Sequence, residues 1–319
     1  MGPNQQHLKI SKVVVTGSEG FIGCHVVDAL RSRGVAVWRM HRASVVSDAR
    51  TEADICLDLR DGDAVEQALL EVSPDCIIHL AGSKNRGESI GDYRENYQVN
   101  LLNTLNVLHA SRLLSSLKRF LFIGSCDEYG SSITPFHEGL CEKPNNAYGL
   151  SKLATTQLLT AWHRIYDFPV AILRPSVVYG PGQGNEMFIP SLAMTIGSGV
   201  TFAMTKGEQI RDFLFVDDLV EAIIKAACHH DEIHGMVINI GSGSPSSIRD
   251  VAVMIADQIG PEARNLLSIG ALPYRPNEVM NYSLSIERAA TVLGWYPVTK
   301  LDEGLRRTLA YINGKGCEP

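Results

Sequence analysis

No stretch of the sequence restricts the fold more than residues 12–23. Val13-Val14-Val15 is a short β-branched run bounded by turn formers, the signature of a buried strand. Thr16-Gly17-Ser18-Glu19-Gly20-Phe21-Ile22-Gly23 follows at once, and Ile22, Val26, Val27 and Leu30 then recur at helical spacing until Gly34 stops the helix. A strand that turns through glycines directly into a helix leaves the first N–H groups of that helix without partners, and such groups attract an anion. The Gly17-x-x-Gly20-x-x-Gly23 spacing allows both the sharp turn and a close approach of backbone to a pyrophosphate, so the stretch predicts a dinucleotide site.

The alternation continues along the chain. Residues 35–40 read as a second strand, 56–59 as a third, 76–81 as a fourth, 120–123 as a fifth and 170–173 as a sixth, with helical segments near 95–115 and 148–166. Strands alternating with helices predict an α/β fold, a Rossmann-type doubly wound parallel sheet. From Tyr179-Gly180-Pro181-Gly182 onward the elements shorten, which predicts a nucleotide-binding unit over 10–178 and a smaller α/β substrate lobe over 179–319. The two are expected to interleave, because residues 236–241 read as a strand returning to the main sheet.

Charge and cysteine usage exclude several partners. With a net charge of −6 and no dense basic run, neither a nucleic-acid groove nor an anionic membrane surface is expected. No apolar stretch approaches the ~20 residues that span a bilayer, and residues 1–9 form no signal-peptide core. The seven cysteines are an odd, scattered set with no Cys-x-x-Cys and no clustered histidines. That pattern predicts reduced thiols in the cytoplasm, and neither a disulfide framework nor a metal site.

Tyr148 and Lys152 stand four residues apart in Asn-Asn-Ala-Tyr-Gly-Leu-Ser-Lys, the spacing that puts two side chains on one face of a helix. A phenol with a pKa of about 10 is a poor acid or base at neutral pH, and an ammonium beside it corrects that. Lowering it by roughly three units takes about 4 kcal/mol of differential stabilisation.

Other short motifs accompany these two. They are Leu57-Asp58-Leu59, His79-Leu80-Ala81-Gly82, Val99-Asn100 with Thr104, the Ser125 strand end, Arg174-Pro175, Tyr179-Gly180-Pro181-Gly182, and Arg211-Asp212-Phe213 with Val216-Asp217-Asp218. In order and spacing, over nearly the whole chain, the set resembles the extended short-chain dehydrogenase/reductases, the nucleotide-sugar epimerase/dehydratase family. The resemblance implies a catalytic triad of Ser125, Tyr148 and Lys152. It implies cofactor contacts from Gly17, Gly20, Phe21, Ile22, Gly23, Asp58, Leu59, Leu80, Ala81, Gly82, Asn100, Tyr148, Lys152 and Val178. At the end of the second strand, His41 stands where NAD-users of the family carry an aspartate, followed by Arg42 with Ser44 nearby. A guanidinium suits the 2′-phosphate, so NADP(H) is favoured and NAD(H) is the alternative.

For the substrate, the resemblance implies a nucleoside diphosphate-sugar held by Ser125, Cys126, Asp127, Asn185, Arg211, Arg275 and Glu278. Family dehydratases place an acid pair, or at least a Glu in the second position, after the triad Ser or Thr, whereas here Cys126 and the shorter acid Asp127 follow Ser125. Gly124-Ser-Cys-Asp-Glu-Tyr-Gly130 looks most like the 4-keto-6-deoxy-sugar reductases, such as those acting on GDP-4-keto-6-deoxy-mannose. The expected reaction is therefore NADPH-dependent reduction of an NDP-4-keto-6-deoxyhexose. Alternatives are a 4-epimerase or 4,6-dehydratase of the same family and, from another class, a non-catalytic NADP-binding regulatory protein. The helices near 95–115 and 148–166 resemble those that pair across a two-fold axis in the family, so a homodimer is the default expectation.

Overall fold

A computed structural model of the chain describes residues 10–42, 53–229, 233–275 and 278–315. Six strands, β1 (Lys12–Thr16), β2 (Ala36–His41), β3 (Asp54–Cys56), β4 (Cys76–His79), β5 (Arg119–Ile123) and β6 (Val170–Pro175), join Val237–Ile240 in one sheet. The order is Val237–Ile240, β6, β5, β4, β1, β2, β3, and every pairing is parallel. Sheet growth reverses direction between β1 and β4, and ligands bind beyond the carboxyl ends of strands at such a switch. The expected Rossmann-type sheet is therefore the observed one.

Helices α1 (Phe21–Ser32), α2 (Gly62–Val72), α3 (Ile90–Asn96), α4 (Asn103–Ser111) and α5 (Ala147–Tyr166) connect these strands. The period of two in β1 sorts its side chains between two cores. Val13 and Val15 pack with Val26, Val27 and Leu30 of α1 on one face, while Val14 meets Val65, Leu69, Val107 and Leu159 on the other. Each fully buried aliphatic side chain stabilises by about 1.5–3 kcal/mol, which is why a strand buried on both faces is uniformly apolar.

Two elements differ from the sequence reading. The third strand is Asp54–Cys56, not 56–59, because Asp54 pairs with Arg39 of β2 at 2.6 Å and fixes the register two residues earlier. Leu57-Asp58-Leu59 lies beyond it, where the Asp58 carboxylate accepts from the Arg60 backbone N–H at 2.9 Å and Asp61 caps α2. The helical segment expected near 95–115 begins earlier, at Ile90 under a Ser89–Asp92 capping box, and widens into a π-helical turn at Tyr97–Leu102 before α4. In that turn the Asn100 carbonyl accepts from the hydroxyls of Thr104, at 2.6 Å, and of Thr155 on α5, at 3.0 Å. Side-chain claims on the backbone of this kind accompany such bulges.

His79 ends β4 and ties the sheet to α4. Its Nδ1 lies 2.7 Å from the Thr16 hydroxyl and its Nε2 2.8 Å from that of Thr104, between the rings of Phe120 and Phe122. Burial pushes its pKa down to about 3 from the usual 6.5, and the charge of Lys152 adds to this. The folded state thus holds the ring neutral while the unfolded chain protonates it, so stability falls as pH drops from 6.5 towards about 3. A His79→Gln variant should lose less Tm than the wild type between pH 6.5 and about 4. Parallel melting curves over that window would contradict a neutral His79.

Candidate active site

The turn after β5 is held by a buried ion pair. Glu128 Oε1 accepts from the Ser125 backbone N–H at 2.8 Å, and Glu128 Oε2 lies 2.6 Å from Arg174 Nη2, with both side chains within 1% of full burial. Arg174, near the end of β6, also reaches Glu142 at 2.8 Å and lies over the Tyr129 ring. Gly124 makes room for this arrangement, since a Cβ there would stand 2.4 Å from Glu128 Oε1. The Ser125 hydroxyl accepts from the Asp127 N–H at 3.1 Å and faces the cleft.

Helix α5 brings the phenol and the ammonium to this turn. Asn146 caps it through Gly149 N at 2.8 Å, and Gly149 lets it lie against the turn, because a Cβ there would fall 2.5 Å from the Asp127 carbonyl oxygen. Tyr148 then lines the cleft together with Ser125, whose hydroxyl favours the phenolate. Lys152, one turn on, donates from Nζ to the Ile123 carbonyl at 2.8 Å and sits over the Phe122 ring. Burial brings its pKa down to about 8, against a small upward pull from Glu128.

The environment of the phenol differs from the sequence expectation. Burial, and next the Asp127 carboxylate, push the Tyr148 pKa up rather than down, opposed by Arg86 and the Ser125 hydroxyl. Arg86, on the loop after β4, lies over the Tyr148 ring at 5.2 Å and pairs with Asp127 at 2.6 Å. Sequence reading missed Arg86, whose only local signal is a lysine–arginine pair in a polar loop.

A cleft of about 780 Å³ runs from this group to the glycine turn. Gly17, Gly20, Phe21, Ile22, Gly23, Leu80, Gly82, Val178, Ser125, Cys126, Asp127, Tyr148, Lys152, Arg211, Arg275 and Glu278 all line it. His41, Arg42, Asp58, Leu59, Ala81, Asn100 and Asn185 do not. His41 is buried with Nδ1 3.2 Å from the Arg42 carbonyl, Arg42 is exposed beyond β2, and Ser44 lies outside the described residues. Asn100 bonds the Ser83 N–H and the Ser151 hydroxyl, both at 2.8 Å, and so braces the cleft wall. Asn185 is exposed, and its neighbours Gln183 and Gly184 face the cleft instead. Arg211 pairs with Glu278 and stacks on Tyr282.

The glycine turn suits a dinucleotide. Gly20, at the N-cap of helix α1, offers no side-chain cap and the first turn holds no acidic residue, whereas α2, α3 and α5 are capped by Asp61, Ser89 and Asn146. Gly17 has φ +68, and a Cβ on Gly23 would lie 2.2 Å from the Gly17 carbonyl oxygen. Open N–H groups thus face the cleft at a close-packed turn, as a pyrophosphate requires.

A sequence model of the NAD dependent epimerase/dehydratase family matches residues 13–241. The chain belongs to that family. Its relatives in the family divide by reaction. It is 30% identical over 317 residues to a GDP-6-deoxy-D-mannose reductase of Pseudomonas aeruginosa, covering 94% of this chain and 96% of that one. It is 27% identical over 335 residues to a dTDP-glucose 4,6-dehydratase of Neisseria meningitidis, covering 95% and 94%. A crystal structure of the UDP-glucuronic acid 4-epimerase of Bacillus cereus, with UDP-glucuronic acid and NAD, superposes with a TM-score of 0.85 at 26% identity, over 95% of this chain and 99% of that one. Among the described residues no helix is long and apolar enough to cross a membrane.

The buried pair should be essential to this family member's site. Glu128→Gln leaves the Arg174 charge under-compensated and should cost about 3–5 kcal/mol of unfolding free energy. A denaturation midpoint within error of the wild type would contradict that.

Proposed function

We propose that this family member is an NADPH-dependent 4-ketoreductase that converts an NDP-4-keto-6-deoxyhexose to an NDP-6-deoxyhexose. The observation that carries the reading is the state of the two side chains after Ser125. Asp127 is tied to Arg86 at 2.6 Å, and burial pushes the Cys126 thiol well above its ordinary pKa. Dehydration needs an acid that can help a C6 hydroxyl leave, and neither group supplies one. Reduction needs only a proton from Tyr148, which burial keeps protonated and which lines the cleft with Ser125.

The nicotinamide supplies the hydride when bound. In this reading the glycine turn and the α1 N-terminus hold its pyrophosphate, and Lys152 reaches its ribose. Ser125 donates to or accepts from the substrate oxygen beside Tyr148. Arg211 and Arg275, on the same cleft wall, neutralise the substrate's two phosphates, with Glu278 as the resting partner of Arg211. A homodimer belongs to the same reading, supported by the exposed apolar side chains of Leu102 (46%) before α4 and of Leu150 (36%) and Ile165 (68%) on α5.

Given NADPH and an NDP-4-keto-6-deoxyhexose, the enzyme should consume one cofactor per sugar and give one C4 configuration. Given an intact NDP-hexose it should form no 4-keto-6-deoxy product. Steady loss of water from the hexose, or interconversion of C4 epimers without added NADPH, would replace this reading with a dehydratase or an epimerase. Tyr148→Phe should keep cofactor affinity and lower kcat by about 10²-fold or more.

The choice of NADPH is supported by the cations beyond β2. Asp58 is held below the usual carboxylate range chiefly by the Arg60 guanidinium, and the charge of Arg42 contributes. A 2′-phosphate at this edge would find two guanidinium groups. Arg42→Ala should weaken NADPH by about ten- to a hundredfold in Kd and leave NADH nearly unchanged. Equal losses for both cofactors would put Arg42 elsewhere.

A further inference from the structure

We propose that the substrate's hexose carries a neutral acylamino group on C2 or C3, and that a second hollow beside the active-site cleft receives it. The proposal deepens the reductase reading and rests on it. The hollow encloses about 770 Å³, against about 780 Å³ for the cleft, and shares Asn145, Glu278 and Val279 with it. Ser131, Ser132, Ile133, Thr134 and Asn281 complete its lining.

The two walls of the hollow are fixed to each other. Ser131 to Thr134 lie between Tyr129 and Phe136 in the chain, and Asn281 precedes Tyr282; Tyr129, Phe136, Tyr282 and Leu284 share one buried cluster, against which Val279 packs. The Phe136 N–H donates to the Ser283 carbonyl at 2.7 Å, and the Phe136 carbonyl accepts from the Ser285 N–H at 2.8 Å. A group entering the hollow therefore meets walls that are already formed, which keeps the ordering cost of binding low.

In the reductase reading the sugar has C4 at Ser125 and Tyr148, and C1 joined to phosphates at Arg211 and Arg275. Asn145 stands three residues before Tyr148, and Glu278 is the partner of Arg211, so the two residues mark the C4 and C1 ends of the ring. Both also line the hollow, which places it along one long edge of the sugar. The C5–C6 edge of a 6-deoxy sugar ends in a methyl, which gains nothing among hydroxyls and amides. The C2–C3 edge carries the polar substituents.

The lining also selects their charge. Ser131, Ser132, Thr134, Asn145 and Asn281 are uncharged donors and acceptors, and among the described residues no Lys, Arg or His lines the hollow. A carboxylate or sulfate there would face Glu278 with no cation of its own, since Arg211 is already paired. An amide offers one donor and one acceptor to such a set, and a hydroxyl alone would leave most of the space unfilled.

The test compares NADPH oxidation with 4-keto-6-deoxyglucose and with its 2-acetamido and 3-acetamido counterparts. Each sugar is supplied as its GDP, UDP and dTDP ester, and the ester that supports turnover is carried through. One acetamido sugar should exceed the unsubstituted sugar about tenfold or more in kcat/KM. Ser131→Trp and, from the opposite wall, Asn281→Phe fill the hollow at exposed positions. Each should abolish that advantage while the unsubstituted sugar stays within about twofold of its wild-type kcat/KM. Acetamido sugars no better than the parent, or variants that lower all three sugars equally, would overturn the acylamino assignment and leave the reductase reading standing. No NADPH oxidation with any of these sugars would remove the reductase reading itself.

Discussion

The active-site geometry depends on one buried ion pair. Glu128 and Arg174 are 2.6 Å apart with almost no exposure, and each carries further bonds that a lone pair of charges would lack. Glu128 takes the Ser125 N–H, and Arg174 takes Glu142 and the face of Tyr129. Burying two charges is costly, and Arg174 Nη1 is buried without a hydrogen-bond partner among the described residues, so the pair specifies one arrangement of the β5 and β6 ends more than it adds net stability. Gly124 is the backbone counterpart of the same constraint, because any side chain there would meet the Glu128 carboxylate at 2.4 Å.

Ser125 and Asp127 inherit their positions from that turn, and α5 is seated against it through Gly149. The result is a phenol placed between a carboxylate and a guanidinium, with the ammonium of Lys152 turned toward the strand. Low-dielectric surroundings strengthen each of these terms. Desolvation keeps Tyr148 protonated at rest. At the other end of the cleft the uncapped α1 carries the positive end of a helix dipole, suited to phosphate.

Local features were the legible ones. The glycine turn, the uniformly apolar strands and the i, i+4 pair at Tyr148 and Lys152 each depend on residues within one or two turns of each other, and the parallel sheet followed from them. The third strand was misread because Leu57-Asp58-Leu59 has the alternation of a strand, while its register is set by an Asp54–Arg39 pair 15 residues apart. Arg86 was invisible for a similar reason, its carboxylate partner lying 41 residues on. The motif Glu128-Tyr129-Gly130 stood out in the sequence, but its meaning needs Arg174, 46 residues away. His41 shows the limit of reading by position: it ends β2 as expected, yet its ring is buried and bonded to its own neighbour's carbonyl.

Isotope tracing tests the central claim, that Tyr148 serves a reduction and no carbon–proton chemistry, most directly. With NADPH carrying deuterium on its transferable position and an NDP-4-keto-6-deoxyhexose in ordinary water, one deuterium should appear at C4 of the sugar. The reciprocal experiment, unlabelled NADPH in heavy water, should leave C5 and C6 free of deuterium. Solvent deuterium at C5 or C6, or a product in which C4 carries none from the cofactor, would contradict the account.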